Sequence, residues 1–192
     1  MVAPEGTEMP KLIENVKKRI LEAAKNELLE SEYSGFTIRS VAARCGIAVG
    51  TVYNYFPTKD TLAASVMLDD WNKALSAMRQ SIAQSDTITD GLYVIYKEIE
   101  HFSNLYRRVW SQYTSSARFI SDYSKRHNIL LSQLSEIVHS LLRRFEADED
   151  SFLDGFVSEN LLLAAVNHTP FQPLAVLLDR IFIHNRKERD RV

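Results

Sequence analysis

Between positions 11 and 30, apolar residues return every three or four places. Ile13, Val16, Ile20, Ala24 and Leu28 fall on one stripe, and lysines and glutamates fill the other side. A period near 3.6 marks an amphipathic helix, here about five turns long. Thr37 is placed to cap a short second helix ending at Arg44. Cys45-Gly46-Ile47 reads as a tight turn. A third short helix covers 48–55, and Pro57 helps to end it. From Asp60 onward, Leu62, Val66, Trp71, Leu75, Met78 and Ile82 mark a long fourth helix.

Ser81 to Asp90 is polar and predicts a connection. Beyond it Leu92, Ile95, Ile99 and Phe102 form one stripe and Leu105, Val109 and Tyr113 another, which places a kink near Ser103-Asn104. A long apolar pattern follows over 117–146. Ala147-Asp148-Glu149-Asp150 reads as an acidic hinge whose last members suit a helix N-terminus. An eighth helix is predicted over 151–168 and a ninth over 171–184, and the closing NRKERDRV reads as frayed. The chain is therefore expected to be all-α, with about nine helices. Six glycines and five prolines in 192 residues are few chain breakers, which agrees.

Composition is that of a globular chain, 45% apolar and 25% charged. The net charge of −2 excludes a general polycation, so any nucleic-acid role must rest on a local patch. A single cysteine, Cys45, excludes an internal disulfide framework and suits a structural thiol in the turn. No apolar run approaches the roughly 20 residues that span a bilayer, and Met1–Pro10 does not read as a signal peptide. A cytoplasmic location without membrane contact is expected.

The short helices carry the informative pattern. Ala42 is small where two helices would cross, and Gly46 falls where a linking turn needs positive φ. Val52 and Phe56, four apart, point the third helix inward and turn Thr51, Asn54 and Tyr55 outward. This is the layout of a helix-turn-helix, whose second helix enters a DNA major groove. From Tyr33 to Lys59 there is no acidic residue, while Arg39, Arg44 and Lys59 are basic. Over 1–60 the charges balance, eight against eight, so the positive charge is local.

The stretch TIRSVAARCGIAVGTVYNYFPTKDTL, Thr37 to Leu62, resembles the DNA-binding signature of the TetR family of bacterial regulators. Its most specific part is TVYNYFPTKDTL. Glu32-Tyr33 and Gly35-Phe36 depart from the family pattern just before the second helix. The resemblance implies an N-terminal three-helix helix-turn-helix DNA-binding domain, residues 1–58. A long helix joins it to a C-terminal helical ligand-binding and dimerisation domain, residues 59–192. It also implies roles. Thr37 and Arg39 reach phosphates or base edges, and Val49 and Gly50 let the backbone approach the groove. Thr51, Tyr53 and Tyr55 offer hydroxyls to phosphates, Asn54 faces a base edge, and Lys59 clamps a phosphate.

The larger half lacks a catalytic constellation, and no cofactor or metal is expected. Its five histidines form no i,i+3 or i,i+4 pair with each other. Its aromatic density is read either as core or, with the resemblance, as an effector cavity lined by Trp71, Tyr96, Phe102, Tyr106, Trp110, Tyr113, Phe119, Tyr123 and His127. Leucines on more than one side of the last two helices, about 151–184, suit a dimer interface. The expectation is a homodimeric, ligand-responsive regulator of double-stranded operator DNA, most simply a repressor released by a small, partly hydrophobic or aromatic effector. A helical interaction module that keeps the fold without binding DNA is the alternative, and a small enzyme ranks behind it.

Overall fold

In the computed structural model, residues 9–113, 117–147 and 151–189 are described, with side chains over 15–110, 127–147 and 152–182, Glu32 excepted. The described residues form helices without any strand among them: α1 (Met9–Gly35), α2 (Ile38–Cys45), α3 (Val49–Tyr55), α4 (Lys59–Ile82), α5 (Ile88–Tyr113), α6 (Ala117–Arg144), α7 (Ser151–Val166) and α8 (Phe171–Arg189). The all-α expectation holds.

Several boundaries move for physical reasons. α1 runs on to Gly35, with the Ser31 hydroxyl bonded back to the Glu27 carbonyl inside the helix. α5 runs unbroken through Ser103-Asn104, where the sequence pattern suggested two segments. Ile95, Ile99, Tyr106 and Val109 are all buried, so one stripe with spacings of four, seven and three continues across the site. The expected eighth and ninth helices are therefore α7 and α8. α7 stops at Val166, short of 168, and α8 continues past 184 to Arg189, where a frayed end was expected. The supposed hinge at Asp148–Asp150 lies outside the described residues.

The chain forms two compact units. The first is Met1–Asp70 with Tyr106–Tyr113, and the second is Trp71–Leu105 with Thr114–Val192. The first unit thus reaches past residue 58 and takes in the end of α5. Its interior holds Ile20, Ala24, Leu28, Phe36, Val41, Val52, Phe56 and Leu62. Wholly buried Tyr106 donates its phenol proton to Asp70 Oδ2 at 2.6 Å, and Lys25 Nζ meets the same oxygen at 2.6 Å. One carboxylate of α4 thereby ties α1 to the end of α5.

The second unit is built on Trp71, Leu75, Met78, Leu92, Ile95, Ile99, Leu134, Ile137, Leu141, Val157, Leu161 and Leu178. α5 and α6 approach so closely that a Cβ on Gly91 would meet Leu141 Cδ1 at 2.5 Å. Arg144 of α6 closes the end of α4, donating through Nη1 to the Ile82 carbonyl at 2.8 Å, where orphan carbonyls and the helix dipole favour a cation.

Candidate nucleic-acid interface

Thr37 opens α2. Its backbone is extended and its hydroxyl accepts from the Ser40 amide at 3.0 Å, while the Ser40 hydroxyl accepts from the Thr37 amide at 3.3 Å. This reciprocal pair satisfies two amide donors that the helix leaves open. Gly46 ends α2 in the left-handed region at φ 66°, with its N–H turned back to the Ala42 and Ala43 carbonyls. Any residue with a Cβ would pay about 1–2 kcal/mol there. The positive φ expected from the sequence is present.

α3 is only seven residues long, too short to hold itself, so packing must fix it. Val52 is fully buried and Phe56 nearly so, while Tyr53 and Asn54 are exposed and Thr51 and Tyr55 are half-buried. Phe56 stands extended before Pro57, as a residue preceding proline should, and α3 stops there. Thr58 then caps α4, its hydroxyl accepting from the Thr61 amide at 3.1 Å and Thr61 Oγ1 accepting in return from the Thr58 amide at 3.1 Å. Of the expected reader residues, Thr37, Arg39 and Gly50 are exposed and Val49 and Lys59 half-buried, all within the first unit.

The charges are less simple than the sequence implies. Arg44 donates through Nε to Glu27 Oε2 at 3.1 Å and through both terminal nitrogens to Glu30. This hydrogen bonding pulls the Glu30 carboxyl below its usual range and holds the arginine proton more firmly. Arg44 is therefore engaged by α1, and the open cation on α2 is Arg39. Arg19 of α1 donates to the Cys45 carbonyl at 3.0 Å. Partial burial pushes the Cys45 thiol up, against the nearby Arg19 charge, as suits a structural thiol.

Lys59, at the first turn of α4, donates to the Tyr33 carbonyl at 3.3 Å and lies 4.3 Å from the centre of the Tyr33 ring. The Tyr33 phenol donates to Asp60 Oδ1. Arg19, Tyr33 and Thr58 are contributors that sequence reading missed. They act through partners distant in the chain, or through a cap hidden between Pro57 and the helix, and no local period marks them.

The expected effector residues fall in both units. In the second, Trp71 is buried, donates its indole N–H to Gln133 Oε1 at 2.8 Å and meets Phe102 edge-on at 5.2 Å. Tyr96 is buried against Phe171, and its phenol donates to the Thr169 carbonyl at 2.9 Å; burial and the Glu100 carboxylate push that phenol up. Half-buried His127 lies 3.3 Å from Glu159 Oε2. Tyr106 and Trp110 belong to the first unit. The side chains of Tyr113, Phe119 and Tyr123 lie outside the described residues. Among the described residues, no three His, Cys, Asp or Glu groups converge as a metal site, and no helix is long and apolar enough to cross a membrane.

α7 and α8 turn a row of apolar groups outward: Phe152, Phe156, Leu163 and Val166 on α7, and Val176 and Leu177 on α8. Phe152, at 74% exposure, is the most open large apolar residue of the described chain, and it stacks on Phe156.

An all-α chain with a capped α2, a left-handed glycine turn and an inwardly anchored α3 is a helix-turn-helix protein. Residues 20–66 match the bacterial regulatory proteins of the tetR family. The chain is 27% identical over 188 residues to the HTH-type transcriptional regulator PksA of Bacillus subtilis, covering 90% of this chain and 88% of that one. It is 25% identical over 96 residues to the HTH-type transcriptional regulator UidR of Escherichia coli, a match spanning 50% of this chain and 45% of UidR, about half of each. The fatty acid degradation regulator FadR of Bacillus halodurans shares the fold, with a TM-score of 0.55 at 17% identity over 84% of this chain and 96% of that one. So does FadR of Bacillus subtilis, solved in complex with stearoyl-CoA, with a TM-score of 0.52 at 19% identity over 86% and 95%. Residues 20–66 thus carry the N-terminal region of the tetR family of bacterial regulatory proteins, and the chain as a whole is similar to regulators of that kind. These relatives are regulators and not enzymes.

Proposed function

We propose that the protein is a homodimeric, ligand-responsive transcriptional regulator that binds operator DNA, acting as a repressor that a small, partly hydrophobic or aromatic effector releases. The observation that carries the reading is α3. A seven-residue helix is held by Val52 and Phe56 and presents Tyr53 and Asn54 outward from a turn that Gly46 fixes. Asn54 is suited to a base edge, Tyr53, Tyr55 and Thr51 to phosphates, and Arg39 and Lys59 to the flanking backbone.

In this reading residues 1–58 form the reader and residues 59–192 the sensing and dimerising part. Two copies pair through the outward apolar rows of α7 and α8. A two-fold dimer places two α3 helices in successive major grooves, about 34–36 Å apart on the duplex. Effector bound in the second unit, among residues such as Trp71, Tyr96 and Phe102, favours a different setting of α4. Effector and operator then oppose each other by one reciprocal coupling free energy.

The test is a binding titration of the promoter DNA of the protein's own gene and its neighbours. Tyr55→Ala and Lys59→Ala are each expected to weaken binding, and binding should fall steeply with salt. Unchanged affinity in both variants sinks the assignment. Weak binding that salt does not alter favours an interaction module instead.

A further inference from the structure

We propose that Tyr33 is the positioning residue for Lys59, holding its ammonium ready for a phosphate at the corner where α1 ends and α4 begins. The inference rests on the DNA-binding reading above. Lysine is a flexible side chain whose freedom must be lost when it grips an anion. In this protein much of that freedom is removed before any DNA arrives.

Three contacts show how. The Tyr33 carbonyl belongs to the last turn of α1, where carbonyls lack partners inside the helix, and it accepts from Lys59 Nζ at 3.3 Å. The Tyr33 ring lies under the same ammonium, 4.3 Å from its centre, in cation–π contact. The Tyr33 phenol donates to Asp60 Oδ1, which fixes the ring against the first turn of α4. An ammonium has three donors, so the bond to one carbonyl leaves donors for a phosphate. Tyr33 stands 26 residues before Lys59 in the chain and brings no charge of its own. Its role is to set where the charge stands.

The experiment is a double-mutant cycle on the full chain, read by anisotropy with a fluorescein-labelled, mixed-sequence duplex across a salt series. Lys59→Ala should reduce the slope of log affinity against log salt by about one, the signature of one lost phosphate contact. Tyr33→Leu should weaken binding roughly two- to fivefold, the equivalent of a half-exposed cation–π contact, with the slope kept. In the Lys59→Ala background the same change should have no effect. Tyr33→Phe, which keeps ring and carbonyl and loses only the bond to Asp60, should weaken binding less than Tyr33→Leu does. An equal loss from Tyr33→Leu with and without Lys59 shows a merely structural role and overturns the inference, as does no loss with Lys59 present. Absence of salt-dependent binding by the wild type overturns the DNA-binding reading itself.

Should Tyr33→Leu fail to fold, the unaltered protein gives the answer by NMR of labelled lysine. The Lys59 ε-methylene protons should be shifted upfield by the ring and stay so when duplex saturates the protein. Ordinary lysine shifts in the free protein overturn the proposal.

Discussion

Tyr106 and Lys25, from α5 and α1, converge on a single oxygen, Oδ2 of Asp70. Burial, and then the Asp70 carboxylate, push the Tyr106 phenol far above the ordinary tyrosine range. The folded state therefore holds that proton more tightly than the unfolded chain does. The resulting stability is whole below the unfolded tyrosine value of about 10 and is lost as pH rises beyond it. Urea unfolding should show a midpoint that falls in that alkaline range, and Tyr106→Phe should flatten the fall. At neutral pH the same variant should cost about 1.5–3 kcal/mol, the usual worth of a hydrogen bond to a charged group.

The two glycines of the reader should respond in opposite ways. Gly46→Ala places a Cβ at φ 66° and should destabilise the fold by about 1–2 kcal/mol, although nothing lies within 4 Å of that Cβ. Gly50 is in helical backbone with equally open surroundings. Gly50→Ala should stabilise by up to about 1 kcal/mol yet weaken DNA binding if the bare backbone approaches the groove. Thermal melts beside a binding titration separate the two effects.

What the sequence disclosed and what it hid divide along chain distance. The Thr37 cap, the Gly46 turn and the burial of Val52 and Phe56 are local relations, governed by spacings of one to four residues, and they were readable. α5 was not legible as one helix because buried Tyr106, seven residues after Ile99 and three before Val109, joins two stripes that the sequence pattern marks separately. The pairing of Arg44 with Glu27 and Glu30, and of Lys59 with Tyr33, joins helices whose side chains meet only in the folded protein. A charge count over Tyr33–Lys59 therefore overstated the free positive charge of the reader.

Helix caps give a further contrast. α2 and α4 place Ser40 and Thr61 at the third helical position of their capping pairs, while α5, in the second unit, places Asp90 there, accepting from Thr87 Oγ1 at 2.7 Å. An acid at that position favours the helix by about 0.3–1 kcal/mol. Thr61→Glu should therefore leave the melting temperature unchanged or raised, and should lower DNA affinity by repelling the phosphate backbone. Equal or tighter binding by this variant contradicts the placement of the α4 N-terminus at the duplex.

The outward row on α7 and α8 predicts the effect of single charges. Leu163→Glu and Phe152→Asp alter exposed positions, so each should leave the secondary structure intact by circular dichroism. Each should shift the sedimentation coefficient from dimer toward monomer at micromolar protein. A wild type that sediments as a monomer, or variants that sediment as an unaltered dimer, removes this face from the proposed assembly.

The inclusion of Tyr106–Tyr113 in the first unit bears on how the chain is made. During synthesis α1 to α3 leave the ribosome well before Tyr106 exists. Until it emerges, Asp70 lacks the phenol that shares its oxygen with Lys25. The N-terminal helices can assemble early, but this part of their support arrives from the middle of the chain. A fragment cut at Asp70 is thus a nascent intermediate, missing a piece of its own interior, and not a detachable module.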